Sequence, residues 1–378
     1  MFPALAPFLS HHVWGPFRLL GAYTVLIAVG TTTAALTTWF LLPRLWHALP
    51  CDRRRAHAAQ ADAAKGKPTG GGYLVVLLLL PWLFLVLPWH PVLVSVSLCL
   101  ILCMLTGYWD DRSPTPWSEW RKGAMDLGVA ALTSLMLCQG TETPMWFPFV
   151  KGVVSVPAWL FVLIGTAVLW FSINATNCTD GVDGLAGSLT LLSLFYLGGF
   201  LYVVVGNREV ARYLLVPHNV RGAAWSILAF TSAGAFAGYL WHNAEPSALL
   251  MGDAGSRFLG LLIGVAVLVS GNPFLILAVA PVILVNGGTG LLKLILLRGL
   301  RRLGFDITPP ARVTPAEGAV PLAAPRHVIV RMLHAVRFPL HDHCRAKLHW
   351  TNPQVLIRFV LVQAFLTPFL FVILVKLR

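Results

Sequence analysis

Long apolar runs recur along almost the whole chain, and they limit its fold more than any other feature. About ten of them are roughly 16–25 residues long, the length that crosses the hydrocarbon core of a bilayer. They lie at approximately 17–42, 72–88, 91–108, 124–138, 155–174, 184–205, 222–242, 255–270, 273–297 and 354–376. The mean hydropathy of +0.74 agrees with this pattern. Because the alternating pattern of a β-barrel is absent, the sequence predicts an all-α integral membrane protein.

Basic residues are concentrated in the polar segments 43–71 and 298–351. The positive-inside rule places both segments in the cytoplasm, and with about ten spans both termini then face the extracytoplasmic side. We therefore predict one polytopic membrane domain over 1–378, in which 299–350 is a long cytoplasmic loop. The net charge of +13 follows this topology and does not indicate a nucleic-acid partner.

Acidic residues gather on the predicted cytoplasmic face. Glu142 and Glu209 fall outside and Asp126 lies in a span, which leaves twelve of the fifteen acidic residues on the cytoplasmic side. Acidic residues have little influence on topology, so their clustering is independent of the rule that oriented the chain. The active site is therefore expected on the cytoplasmic face.

The segment NATNCTDGVDGLAGS (174–188) follows an apolar span directly and carries Asp180 and Asp183. A carboxylate costs roughly 2.5–3.5 kcal/mol at the centre of a membrane helix and less near the interface, so a metal or phosphate is its natural partner. If the segment is helical, the two aspartates share a face, as do Asn174 and Asn177. The alternative is a glycine-faced packing helix with capping aspartates.

Adjacent Asp110 and Asp111 end the third span, in GYWDDRSP (107–114). On a helix their side chains point about 100° apart, so one is free to bind a metal while the other accepts a proton or orients a lysine. A solvated helix end is the alternative. Downstream, Lys122 either neutralises phosphate or anchors the next helix at the interface.

Two further motifs fall on the same face. In segment 241–260, Asn243 is followed by the motif Gly-Asp-x-Gly-Ser, which contains Asp253. This motif exposes backbone N–H groups at a helix N-terminus, which predicts an anion-binding site. The alternative is that Asp253 is the N-cap of the helix. In FPLHDHCRAKLHW (338–350), His341 and His343 flank Asp342. Histidines beside an acidic residue indicate either a zinc site or contacts to phosphate and base. The alternative is a histidine-rich loop at the membrane interface.

The last cytoplasmic segment divides into two parts. The proline-rich part at 305–325 predicts a flexible insertion, and 326–350 predicts an amphipathic helix at the membrane surface.

Five aspartates thus fall on one face, at positions 110, 111, 180, 183 and 253. Like charges that lie close together cannot all ionise without a counter-charge. Magnesium favours a few carboxylates together with phosphate oxygens, so the cluster predicts Mg²⁺ and a phosphate-bearing substrate.

These motifs resemble those of the polyprenyl-phosphate N-acetylhexosamine-1-phosphate transferases over most of the chain. Residues 174–186 are similar to the family's NAVNLTDGLDGLA, which is the most specific match. KPTGGG (67–72), the Asp-Asp pair and MGDAGS (251–256) match further family motifs. FPLHDH (338–343) and WTNPQVLIRF (350–359) are similar to the family's peptidoglycan branch.

The resemblance implies Mg²⁺-dependent transfer of phospho-N-acetylmuramoyl-pentapeptide from a UDP donor to undecaprenyl phosphate, giving lipid I and UMP. It implies a multi-pass protein of the bacterial inner membrane, whose partners are the UDP-sugar, the lipid carrier and the bilayer, with a homodimer left open.

The resemblance also assigns roles to residues. Asp253 becomes a metal ligand, and Asp110, assisted by Asp111, deprotonates or positions the lipid phosphate. The expected nucleotide, phosphate and further metal contacts are Asn177, Asp180 (also a metal ligand), Asp183, Asn243, His341, His343, Lys122, Lys65 and Lys67.

Alternative functions stay open at this point. One is the same chemistry on another donor, such as UDP-N-acetylglucosamine. Another is an idle paralogue that binds the lipid carrier, favoured by Asp342 inside the histidine motif and by Leu250, where the family has phenylalanine. The acidic residue that the family carries in the ninth span is here Asn286 or Gly287. An ion-coupled transporter needs ionisable groups at mid-bilayer depth, where Asp126 is the only acidic candidate.

Overall fold

The computed structural model describes residues 1–52, 66–115, 117–307 and 328–377, and helices dominate these ranges. Fifteen helices are numbered here in chain order, with one antiparallel hairpin between α5 and α6. The first eight helices are α1 (Phe2–His12), α2 (Tyr23–Leu45), α3 (Gly71–Val86), α4 (Pro91–Arg112), α5 (Glu119–Leu137), α6 (Ala158–Thr179), α7 (Leu185–Val205) and α8 (Arg208–Tyr213). The others are α9 (Gly222–Asn243), α10 (Gly252–Val269), α11 (Leu275–Val279), α12 (Pro281–Arg302), α13 (Val328–Ala335), α14 (Leu340–Lys347) and α15 (Asn352–Lys376).

Eight helices in the described ranges are long and apolar enough to cross a membrane, namely α2, α4, α6, α7, α9, α10, α12 and α15. The prediction of an all-α integral membrane protein is thus confirmed. The two other predicted spans coincide with helices that are less suited to crossing. Helix α3 has only 16 residues. Helix α5 begins with charged residues and carries Asp126 in its second turn. The count of ten spans and the side that the termini face stay predictions.

Helices α9 and α10 form the centre of the bundle, and α15 lies at its periphery. The apolar window of α10 is 94% buried, whereas that of α15 is 22% buried. Close packing around α9 depends on small residues, because a Cβ added at Gly234 or Gly238 would collide with the backbone of α2. Small residues spaced four apart are a common means of bringing membrane helices together.

Two glycines bring α3 and α4 onto the first turn of α10. A Cβ added at Gly72 would meet the backbone of Gly255, and one added at Gly107 would meet the carbonyl of Asp253. The end of α4, which carries Asp110 and Asp111, therefore lies next to Asp253, because no side chain separates the two helices at Gly107.

The predicted ninth span (273–297) is two helices. Helix α11 ends before Ala280, whose φ of −131° and ψ of 41° leave the helical region, and Pro281 begins α12. A proline has no N–H to continue the preceding helix. Helix α12 then contains a π-helical turn at Leu284–Gly288.

The hairpin β1 (Glu142–Met145) and β2 (Val154–Pro157) pairs Glu142 with Pro157 and Met145 with Val154. Buried Trp146 follows β1, and its Nε1 donates to the carbonyl of Ser270, just after α10. The hairpin thus lies at the C-terminal end of α10, opposite to Asp253.

The predicted loop 299–350 contains the end of α12, then α13 and α14. The predicted amphipathic helix over 326–350 is two short helices, separated by a bend that ends at Pro339. Of the predicted insertion at 305–325, residues 308–325 lie outside the described ranges.

Candidate active site

Three helices bring Asp110, Lys122 and Asp253 together. Asp110 lies in the last turn of α4, Lys122 in the first turn of α5 and Asp253 in the first turn of α10. The Lys122 ammonium contacts the Asp110 carboxylate and lies 2.9 Å from Asp253 Oδ2. Both aspartates are buried. Residues that are far apart in the sequence thus form one acidic centre with a lysine between two carboxylates.

A second charged pair, missed by the sequence reasoning, adjoins this centre. Arg257 Nη2 lies 3.2 Å from Asp253 Oδ2, and Arg257 Nη1 lies 3.2 Å from Asp126 Oδ1. The arginine is 1% exposed and Asp126 is 2% exposed. From the sequence alone, Asp126 is only a candidate residue of an ion-coupled transporter. Asp126 is spaced four residues from Lys122, and Arg257 is spaced four residues from Asp253. Residues with this spacing share a helix face, so the spacing is the signal that could have identified Asp126 and Arg257.

Asp111 occupies the N-terminus of α10. Its carboxylate oxygens accept hydrogen bonds from the backbone N–H of Asp253 and of Ala254, each at 3.0 Å. The helix N-terminus that the sequence predicts as an anion site therefore holds a carboxylate of the protein itself. The N-cap of α10 is Met251, so the alternative of Asp253 as N-cap is wrong. Adjacent Asp110 and Asp111 do have different partners, as expected.

The Asp180–Asp183 segment is a turn and not a helix. Helix α6 ends at Thr179, and α7 begins at Leu185 after Gly184 with φ of +76°. The two aspartates therefore do not share a helical face. Asp183 Oδ2 accepts a hydrogen bond from the Ser247 backbone at 3.3 Å.

Lys67 lies beside Asp183, with its Nζ 3.9 Å from Asp183 Oδ2. The same ammonium donates to Ser247 Oγ at 3.0 Å. The second predicted lysine, Lys65, lies outside the described residues.

The two asparagines of α6 have different surroundings. Asn177 Nδ2 donates to Ser256 Oγ at 3.0 Å, which ties α6 to α10 one turn from Asp253. Asn174 Nδ2 donates to the Trp170 carbonyl of its own helix. Asp180 follows Asn177 by three residues, at the C-cap of α6. The structure thus brings Asn177 next to the acidic centre, and the Asn174 side chain also lies within hydrogen-bonding range of Asp126.

Asn243 holds two loops of the site together. Its Oδ1 accepts from the Gly184 backbone and its Nδ2 donates to the Leu249 carbonyl, both at 2.8 Å. It therefore fixes the turn that carries Asp183 against the segment that leads into α10.

His341 is anchored by Asn286, which lies in the π-helical turn of α12. Asn286 Oδ1 accepts from the His341 backbone at 2.8 Å and lies 3.1 Å from His341 Nδ1. An amide oxygen only accepts, so the proton is assigned to Nδ1. The opposite nitrogen faces Gly181, where an added Cβ would collide with the imidazole. A position noted only as a departure from the family's acidic residue thus sets the orientation of this histidine.

His343 serves the bend before α14, where its Nδ1 accepts from the Arg337 backbone at 3.3 Å. Asp342 lies 3.6 Å from Arg345. No group of three or more His, Cys, Asp or Glu side chains is placed to hold a metal within the described ranges.

Burial lowers the pKa of His341 to about 4. Between pH 6.5 and 4 the unfolded chain takes up a proton that the folded chain does not, so folding stability is lost as pH falls through this window. We expect wild type to lose roughly 1–3 kcal/mol from this group between pH 7 and 4.5, seen as a steeper fall in melting temperature than in His341→Gln. Equal dependence of melting temperature on pH in wild type and His341→Gln would contradict this expectation. The control is His47→Gln, which replaces an exposed histidine.

The acidic centre fits a hard divalent cation. Two buried carboxylates, Asp110 and Asp253, lie within hydrogen-bonding range of each other and already share a positive charge from Lys122. Magnesium is typically held by one or two carboxylates, with waters and substrate phosphates completing its shell. A complete cage of protein ligands is therefore not required.

Comparison with known proteins identifies the family of this chain. Residues 93–271 match the family described as Glycosyl transferase family 4. The chain is 45% identical over 373 residues to phospho-N-acetylmuramoyl-pentapeptide-transferase of Treponema pallidum (strain Nichols), covering 97% of this chain and 94% of that protein. The transferase of the same name from Chlamydia pneumoniae is 27% identical over 336 residues, covering 82% and 89%. That from Aquifex aeolicus (strain VF5) is 29% identical over 250 residues, covering 63% and 68%.

The matched family segment contains Asp110, Lys122, Asp180 and Asp253, so it includes the acidic centre. With a relative of 45% identity over nearly its whole length, the chain belongs to the phospho-N-acetylmuramoyl-pentapeptide-transferases, a family of phosphoglycosyl transferase enzymes.

Proposed function

We propose that this chain transfers phospho-N-acetylmuramoyl-pentapeptide from its UDP donor to undecaprenyl phosphate, with Mg²⁺ as cofactor, giving lipid I and UMP. The observation that carries the proposal is the buried Asp110–Lys122–Asp253 centre, whose two aspartates lie at the ends of α4 and α10, two helices that can cross a membrane. We infer that a soluble nucleotide and a phosphate attached to a membrane lipid meet at this end of the two helices.

Phosphoryl transfer depends mainly on positioning and charge stabilisation. Asp253 and Asp110 would hold Mg²⁺, which supplies positive charge to the donor diphosphate when bound. Lys122 contributes a further positive charge between these carboxylates. Asp111 fixes the first turn of α10 and thereby the backbone from which Asp253 projects.

Asp110 is proposed to orient the lipid phosphate. Its Oδ1 accepts from the Trp117 backbone at 2.9 Å, so the carboxylate is held on one side by the segment between α4 and α5. In the proposed reaction an oxygen of the lipid phosphate forms a bond to the sugar-linked phosphorus. The bond from that phosphorus to the bridging oxygen breaks, and UMP leaves with that oxygen.

The donor is proposed to lie across the turn between α6 and α7. Asp183 and Lys67 flank it on one side, and His341 lies against Gly181 on the other. The buried imidazole of His341 packs its Nε2 against Gly181, so we propose that it shapes this side of the donor region. We place Asn177, Asp180, Asn243, His343 and Lys65 in the same donor region, with Asp180 as a further candidate metal ligand beside Asp253 and Asp110.

The chain is a multi-pass membrane protein, and we infer that it resides in the bacterial inner membrane with its acidic centre facing the cytoplasm. Its donor is a sugar-phosphate compound and its acceptor a lipid carrier. A homodimer is proposed as its assembly.

A panel of donors tests the function. Purified full-length protein would be given undecaprenyl phosphate and one UDP-sugar at a time, with Mg²⁺ or with EDTA, and UMP would be measured. We expect release only from UDP-N-acetylmuramoyl-pentapeptide with Mg²⁺. Preferred release from UDP-N-acetylglucosamine would assign the alternative donor, and no release from any donor would favour an idle lipid-carrier-binding protein.

A further inference from the structure

The buried Arg257–Asp126 pair is a feature that the proposed reaction does not use. Arg257 projects from α10 one turn after Asp253, and Asp126 projects from α5 one turn after Lys122. The two helices thus present alternating charges, in the order Lys122, Asp253, Arg257 and Asp126.

Fold stability is a poor explanation for this pair. Removing two charges from water costs several kcal/mol for each ion, and well-packed apolar residues often replace a buried pair without loss of stability. The neighbours of Arg257 on α10 are buried apolar residues, namely Phe258, Leu259, Leu261 and Leu262. Within the described residues, Arg257 Nε has no hydrogen-bond partner, so the guanidinium is not fully satisfied.

The geometry of the guanidinium indicates another role. Its two terminal nitrogens reach two carboxylates, and the contact to Asp253 is to Oδ2, the oxygen that Lys122 also contacts. Asp126 holds the guanidinium from the far side. Asp253 Oδ2 is therefore held from two directions, which restricts rotation of its carboxylate.

We propose that Arg257, held by Asp126, is a positioning residue that fixes the Asp253 carboxylate for the divalent cation and the donor phosphates. This proposal rests on the proposed function, in which Asp253 is a ligand of the metal. The pair is electrically neutral as a whole, so its removal leaves the net charge around Asp253 unchanged and takes away the restraint.

The test is a charge-balanced double variant, Arg257→Met together with Asp126→Leu, in the full-length protein. We expect a melting temperature close to that of wild type, because both members of the pair are removed together and Lys122 still contacts the two remaining carboxylates. We expect kcat to fall by about tenfold or more at an unchanged KM for the donor, because misplacement of a reacting group costs rate and not ground-state binding.

A second readout does not depend on turnover. Binding of Mn²⁺ alone, followed by electron paramagnetic resonance, should weaken by about threefold or more, because an unrestrained carboxylate must be ordered when it binds. The proposal requires both changes, a lower kcat and a higher Mn²⁺ dissociation constant. A kcat within twofold of wild type, or Mn²⁺ binding that is unchanged or tighter, would overturn the proposal.

Two further variants complete the experiment. Arg257→Lys keeps the charge but cannot reach both carboxylates with a planar fork, so kcat should fall by about threefold or more. This variant decides the question if the double variant does not fold, and wild-type kcat in it would overturn the proposal. Thr133→Val, at a buried polar residue on α5, is the control and should behave as wild type. A wild-type protein that binds Mn²⁺ but releases no UMP would refute the proposed function alone.

Discussion

Asp253→Asn is expected to lower Mg²⁺-dependent UMP release by about 10³-fold or more, because it removes charge from the point where the cation and the phosphates are stabilised. Asp253 is contacted by both Lys122 and Arg257, and it lies within hydrogen-bonding range of Asp110. An amide in its place is neutral and a weak ligand for Mg²⁺. The measurement is kcat at saturating donor over a series of Mg²⁺ concentrations.

The control for this variant is Glu209→Gln, which removes a carboxylate at the start of α8. It should keep wild-type activity. The melting temperature of Asp253→Asn is measured in parallel, because the substitution leaves Lys122 and Arg257 facing a neutral amide. A folded Asp253→Asn protein with wild-type UMP release would show that Asp253 is not the metal ligand.

Lys122→Met is expected to lower kcat by about 100-fold, because the lysine is the shared counter-charge of two buried carboxylates. Without it, Asp110 and Asp253 face each other with less positive charge between them, and the donor diphosphate loses a cationic partner. Arg257 remains on Asp253, so the fold is expected to persist. Initial rates at several donor concentrations separate kcat from KM.

Lys376→Met provides the matched control, because Lys376 is an exposed lysine at the end of α15. It should not change either kinetic constant. If Lys122→Met kept kcat within threefold of wild type, the lysine would be an interfacial anchor, as the alternative from the sequence holds, and the account of the acidic centre would fail.

The membrane class was predictable from sequence because apolar runs of bilayer length leave few folds available. Nine predicted spans each overlap one apolar helix of the structure, although the first span begins in the 3-10 helix Gly15–Gly21. The exception is 273–297, where Pro281 separates α11 from α12. Hydropathy averaged over a window does not register such a break, because the residues on both sides are apolar.

The acidic centre was predictable in its members but not in its contacts. Motif spacing identified Asp110, Asp111 and Asp253, yet nothing local indicates that Asp111 binds the N-terminus of α10 while Asp110 contacts Lys122. Those contacts depend on how α4, α5 and α10 pack.

The partners of two further residues were missed for the same reason. Asn286 and His341 are 55 positions apart in the chain, and the sequence gives no cue that one anchors the other. The spacing of Arg257 from Asp253 indicates their contact on α10, but its second partner, Asp126, lies on a different helix and has no signal in the sequence.

The most direct test of the account is product analysis with the natural acceptor. Full-length protein in vesicles that contain undecaprenyl phosphate would receive UDP-N-acetylmuramoyl-pentapeptide, and the lipid-linked product and UMP would be quantified by mass spectrometry. We predict equal molar amounts of both with Mg²⁺ and neither with EDTA. UMP without a lipid-linked product, or no UMP at any Mg²⁺ concentration, would contradict the claim that this chain is a phosphoglycosyl transferase acting on that lipid.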